Sequence, residues 1–132
     1  MEPHITIITL GVSDLQRSLD FYRDGLGLKV HEQFPDAVFF QLRGIRLALY
    51  PRELLAKDAN VSPEGSGFTG ITLAHNVRTR DDVHRVLDEA AAAGGKIVRP
   101  PRVAAWGGYS GYFADPDGYL WEVACTPDGS IE

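Results

Sequence analysis

The sequence predicts an α+β protein built as two tandem βαβββ modules, and three observations carry the prediction. The order strand, helix, three strands occurs twice along the 132 residues. Each helix has a single apolar stripe, enough to cover one face of one sheet. The chain closes in a hairpin, 109–124, whose apolar runs hinge on Asp115-Pro116-Asp117-Gly118: Asp can bond its own backbone, Pro presets φ, and Gly supplies the exit.

Residues 5–12 are a β-branched run suited to a largely buried strand. Ser13, with Gln16 three residues on, reads as a capping box that opens a helix. Leu15, Leu19, Tyr22 and Leu26 share one stripe of that helix before Gly25 and Gly27 stop it. Residues 28–34, 37–42 and 45–50 read as strands separated by Pro35-Asp36 and Arg43-Gly44. Residues 51–67, mixed in charge and rich in Pro, Ser and Gly, read as a linker with space for a helical turn or two at 52–58, suited to lie over a pocket. Residues 68–76 repeat the first strand in style. Thr79 then caps a second helix with Val83, Val86, Leu87 and Ala90 as its stripe, ended by Gly94-Gly95. Residues 96–98, the region 104–112 and the closing hairpin supply the remaining strands, and Gly95-Lys96-Ile97-Val98 mirrors Gly27-Leu28-Lys29-Val30. One domain, 1–132, thus divides into module one at about 4–50, a linker at about 51–67 and module two at about 68–126.

With 44% hydrophobic and 23% charged residues, the chain has the composition of a globular domain with a core. A net charge of -5 argues against nucleic acid or an anionic membrane as the main partner. No apolar run reaches about 18 residues, and Met1-Glu2-Pro3-His4 lacks the build of a signal peptide, so a cytoplasmic location is expected. Cys125, the sole cysteine, cannot make an internal disulfide and reads as a packing residue. Glu122 interrupts an otherwise apolar strand, where a carboxylate needs either solvent or something to bind. Because one helix covers only one face per module, the other sheet faces must meet each other or enclose something, and strands curving toward one another make a cup for a small molecule.

Gly11-Val12-Ser13-Asp14-Leu15 with Ser18, Phe21-Tyr22, Leu26-Gly27, Asp115-Pro116-Asp117-Gly118 and Glu122 run from end to end of the chain. In these residues it resembles the vicinal-oxygen-chelate (VOC) superfamily: glyoxalase I, extradiol dioxygenases, fosfomycin-resistance enzymes and bleomycin-binding proteins. The resemblance implies a cup-shaped mixed sheet, the glyoxalase/bleomycin resistance/dihydroxybiphenyl dioxygenase fold, and a homodimer. It also implies four metal-ligand positions, which fall by motif on Ile7, on or next to Ala48, on Gly70 and on Glu122. Only Glu122 among them has a donor atom, and one carboxylate holds a divalent ion weakly. His4, His31, His75 and His84 read as surface or hydrogen-bonded histidines. No metal or other cofactor is therefore expected, with a divalent metal as the alternative.

Strand alternation anchored on Glu122 and the other positions implied by the resemblance turns Thr9, Arg46, Tyr50, Thr72, Ser110, Tyr112 and Glu122 toward the cup, and Leu47, Leu49, Phe113, Trp121 and Val123 toward the helices. Glu122 is the candidate general base, with Tyr112 and Ser110 as donors to the charge it creates. Arg46 either neutralises Glu122 or brackets a ligand with it, and Tyr50, Thr9 and Thr72 are further ligand contacts. Trp106 and Tyr109, around Gly107-Gly108, offer flat surfaces to an aromatic ligand, or a packed rim or dimer contact. The leading expectation is a metal-independent small-molecule-binding protein for a partly aromatic ligand, with Glu122-assisted proton transfer, isomerase or lyase chemistry if it is an enzyme. Its alternatives are a metal-dependent glyoxalase I-like lyase or extradiol dioxygenase, an antibiotic-sequestering protein without catalysis, and a structural dimer module with a filled cup.

Overall fold

Each half of the chain builds its own four-stranded mixed sheet in the computed structural model, which describes residues 1–131. The halves are two units, Met1–Ser66 and the part from Gly67 on.

The first unit runs β1 (Ile7–Val12), α1 (Leu15–Leu19), a π-helical segment (Asp20–Gly25), β2 (Val30–Phe34), β3 (Ala37–Gln41), β4 (Arg46–Pro51) and α2 (Arg52–Asp58). The sheet order is β1-β4-β3-β2, with β1 parallel to β4 and the other pairs antiparallel. Register pairs Leu10 with Leu49, Val38 with Leu49 and Phe40 with Leu47, which sets these apolar residues on one side. All are buried, as are Leu19, Phe21 and Tyr22 of the helical segment. Each large side chain so buried contributes about 1.5–3 kcal/mol. The Tyr22 and Phe40 rings lie 6.1 Å apart, and the Phe21 and Tyr22 rings meet edge-on at 5.0 Å.

The first helix departs from its expected form at both ends. Its cap is Asp14, whose Oδ1 accepts from Arg17 N–H at 3.0 Å, whereas Ser13 Oγ accepts from the Arg17 guanidinium and Gln16 bonds Asp20. From Asp20 the helix widens into the π form, and Leu26 N–H reaches Phe21 O at 2.9 Å. The widened turn carries Phe21 and Tyr22, both of which are buried.

The second unit runs β5 (Thr72–Val77), α3 (Arg80–Ala92), β6 (Lys96–Val103), β7 (Tyr109–Ala114) and β8 (Leu120–Cys125), in sheet order β5-β8-β7-β6. Thr79 caps α3 as expected: its hydroxyl accepts from Asp82 N–H at 3.1 Å and donates to Asp82 Oδ2 at 2.8 Å. The helix buries Val83, Leu87 and Ala90. Gly111 admits it, because a Cβ there would lie 2.7 Å from Leu87 Cδ1. On the same sheet face Phe113 and Trp121 stack at 6.1 Å.

The closing hairpin turns on Asp115, only 4% exposed, whose Oδ1 accepts from Asp117 N–H at 2.9 Å and Tyr119 N–H at 2.8 Å. Strand β6 runs five residues past the expected end at 98, through Pro100-Pro101 to Val103. It is an edge strand paired only with β7, so its outer side needs no donors, and register shifts between Ile97 and Arg99 and between Arg99 and Arg102 absorb the prolines. Strand β5, in contrast, starts only at Thr72, because Gly67 and Gly70 take φ of +88° and +82° and break the run expected from 68. Among the described residues no helix is long and apolar enough to cross a membrane.

Candidate functional site

Register lines up Ala74, Glu122, Tyr112 and Arg99 in one row across β5, β8, β7 and β6. The row lies on the face away from α3, since the alternate residues Phe113 and Trp121 and the Leu87 seat at Gly111 belong to the helix side. Tyr112 Oη donates to Glu122 Oε2 at 3.0 Å. The Arg99 guanidinium carbon sits 5.1 Å from the centroid of the Tyr112 ring. Arg99 also donates from Nη1 to Ser110 O at 2.9 Å and from Nη2 to Ser110 Oγ at 2.8 Å. Arg99, Tyr112 and Glu122 are partly buried, while Ser110 is 1% exposed.

Burial raises the Tyr112 pKa above that of a free phenol, and the hydrogen bond and charge of Glu122 push the same way against the opposing pull of Arg99. Tyr112 is thus held as a neutral donor. One Glu122 oxygen takes that bond, and among the described residues Tyr112 is the sole side-chain partner of the carboxylate. Its other oxygen has no hydrogen-bond partner among the described residues and keeps its acceptor capacity.

Of the residues expected at the site, Glu122, Tyr112 and Ser110 come together, with Ser110 serving Arg99 rather than facing outward. Thr72 heads β5 opposite Leu120, one row away. Tyr109 is not part of the group: it faces α3, where its hydroxyl meets His84 Nε2 at 2.8 Å and Arg80 stacks on its ring at 4.9 Å. Trp106 lies in the β6–β7 loop with its ring over Gly108 and is 53% exposed. In the first unit Thr9, Arg46 and Tyr50 share the sheet face opposite Leu47 and Leu49, and Arg46 Nε donates to Gln41 Oε1 at 3.2 Å. Helix α2 sits at the Gly11 and Tyr50 end of that face, where a Cβ on Gly11 would lie 3.3 Å from Leu55 Cδ2.

Arg99 escaped sequence reasoning because Pro100-Pro101 looked like the end of the strand. The signal that finds it is cross-strand pairing on an edge, which tolerates proline.

The internal repeat corrects one ligand position. Asp14 and Thr79 are equivalent caps, and Ile7 and Thr72 each lie seven residues earlier, opposite Arg46 and Leu120, two residues before Ala48 and Glu122. The counterpart of Ile7 is therefore Thr72, not Gly70, which precedes the strand. Ile7 and Ala48 have no donor atom and Thr72 only a hydroxyl, so these positions with Glu122 do not fit a divalent ion bound by several N and O donors. Among the described residues no three His, Cys, Asp or Glu side chains cluster as a metal site.

The sequence matches the family model of the Glyoxalase/Bleomycin resistance protein/Dioxygenase superfamily over residues 3–123. It is 36% identical to a glyoxalase-related enzyme from Fulvimarina pelagi, with a TM-score of 0.85 over 98% of this chain and 97% of that one. It is 25% identical to a lactoylglutathione lyase from Agrobacterium tumefaciens, with a TM-score of 0.72 over 94% of each chain. The uncharacterized protein YraH of Bacillus subtilis is 29% identical over 88% of this chain and 93% of its own length.

Proposed function

Because the chain belongs to the glyoxalase/bleomycin resistance protein/dioxygenase superfamily, which houses enzymes and binding proteins on one scaffold, we propose its role from the Glu122 face: it binds a small, partly aromatic organic molecule there without a metal. Glu122 serves as general base for a proton transfer of the isomerase or lyase kind. The observation that carries this reading is the 3.0 Å bond from Tyr112 to Glu122, with Arg99 stacked on the same ring. Tyr112 fixes the carboxylate and leaves its second oxygen toward the ligand, while the aromatic ring gives a flat surface to lie on.

Glu122→Gln tests it, since the amide keeps the shape and the bond to Tyr112 but cannot take a proton. For a substrate found among aromatic metabolites, turnover should fall about 10²–10⁴-fold while its affinity stays within a few fold. Unchanged turnover removes Glu122 as the base, and tight binding of an antibiotic with no turnover moves the protein to sequestration. A second reading, a metal-dependent lyase, is favoured by the similarity to the lactoylglutathione lyase. It requires a stoichiometric divalent ion in the purified protein and loss of activity on chelation. The homodimer expected of such proteins is likewise a proposal, read out by sedimentation.

A further inference from the structure

We infer that Arg99 is an anion anchor and that the molecule bound on the Glu122 face is an organic acid with a single negative charge, its acidic head on Arg99 and its body crossing Tyr112 toward Glu122. The inference rests on the reading of that face as the ligand site and names the class of ligand it takes. A partly buried guanidinium ordinarily has a carboxylate beside it. Among the described residues Arg99 has none, and its partners are the carbonyl and hydroxyl of Ser110, with a long contact to Pro100 O at 3.5 Å.

Ser110 orients the cation without neutralising it. Its hydroxyl is shut away from water and given to Arg99, so both terminal nitrogens are gripped by one residue. A guanidinium has five N–H donors. Among the described residues the Nε–H and one N–H of Nη2 remain without a partner, and a planar, pre-oriented fork is the group that holds a carboxylate by two bonds at little ordering cost.

The far end of the row sets the second requirement. Arg99 and Glu122 stand on strands either side of β7, about 9–10 Å apart at the backbone by two strand spacings. Tyr112 fills the interval, touching both, and no ion pair joins them. A ligand one ring long reaches from cation to carboxylate. A second negative charge would face Glu122 and be repelled, so the far end is neutral or donates a hydrogen bond.

The test is an NMR titration of the full chain with benzoate and with its neutral counterpart benzamide, on the wild type, Arg99→Gln and Ser110→Ala. Benzoate should shift the Arg99 Nε–H signal and the Tyr112 and Glu122 amides, and Arg99→Gln should weaken it about tenfold or more while changing benzamide less than about twofold. Ser110→Ala, which frees the guanidinium but keeps its charge, should give an intermediate loss. Equal affinity for the two probes, unmoved by Arg99→Gln, overturns the anchor and leaves the face standing as an aromatic site. No perturbation of this face by either probe overturns both readings. Should Arg99→Gln fail to fold, the wild-type comparison decides alone: a benzoate preference under about twofold overturns the anchor.

Discussion

Asp115 and Glu122 are carboxylates seven residues apart in one hairpin, yet the structure uses them in opposite ways. Asp115 is almost fully buried and spends an oxygen on the amides of Asp117 and Tyr119, which shapes the turn that sets β8 against β7. Glu122 gives one oxygen to Tyr112, and in the proposed function the other is the one that meets the ligand. Asp115→Ala should therefore cost stability, about 3 kcal/mol from two part-buried amides losing a charged acceptor, read as a lower urea midpoint. Asp115→Asn, which keeps a carbonyl oxygen in place, should lose clearly less; equal losses would mean that the two bonds are not what holds the turn. Glu122 and Tyr112 were legible in the sequence because alternation in a hairpin assigns faces once one residue is anchored. The same rule, applied to Tyr109, puts it with Phe113 on the helix side, and only its nearness to Trp106 and two glycines suggested a ligand contact.

At the scale of elements, the helix seat on β7 links the core of the second unit to its polar face. Leu87 reaches the sheet only because Gly111 has no side chain, and a Cβ there would also lie 3.0 Å from Arg99 O. Gly111→Ala must push α3 outward or shift β6, costing about 1–3 kcal/mol by overpacking. Because Gly111 lies between Ser110 and Tyr112, the same change should loosen the grip on Arg99 and the bond to Glu122, so ligand affinity should fall along with the urea midpoint. A full loss of stability with unchanged affinity would separate the seat from the site. The repeat, α3 with its Thr79 cap, and the hairpin could be read from sequence because each is signalled locally, by a stripe, a cap or a turn. The π-helical segment, the start of β5 and the far half of β6 could not. The first is a widened turn that no stripe, cap or turn residue signals, the second depends on glycine conformation, and the third on a strand being at an edge.

For the whole molecule, the groups whose proton affinity folding changes divide the pH scale into three ranges. Hydrogen bonds from Arg23 to Asp24, from Thr79 and Arg85 to Asp82, and from Thr126 and Ser130 to Asp128 lower these carboxyls below the ordinary 3.8, so the stability they give is present above that value and is lost as pH falls through their folded pKa values. Tyr112, raised above 10.0, gives stability that is present below that value and lost as pH rises through its folded pKa. Between these lies His75, lowered from 6.5 by burial first and by the Arg85 guanidinium second, with Glu89 opposing. Here the unfolded chain binds more protons than the folded one, so stability is full above about 6.5 and declines as pH falls toward the folded value. Water on the open side of His75 keeps the effect small. The urea midpoint should accordingly drop from pH 7.5 to pH 5.5, and His75→Gln, which cannot take up the proton, should flatten that part of the profile while leaving the acid limb intact. An unchanged slope in the variant would place the near-neutral sensitivity elsewhere, and a flattened acid limb would mean that His75 is coupled to the carboxyls across α3.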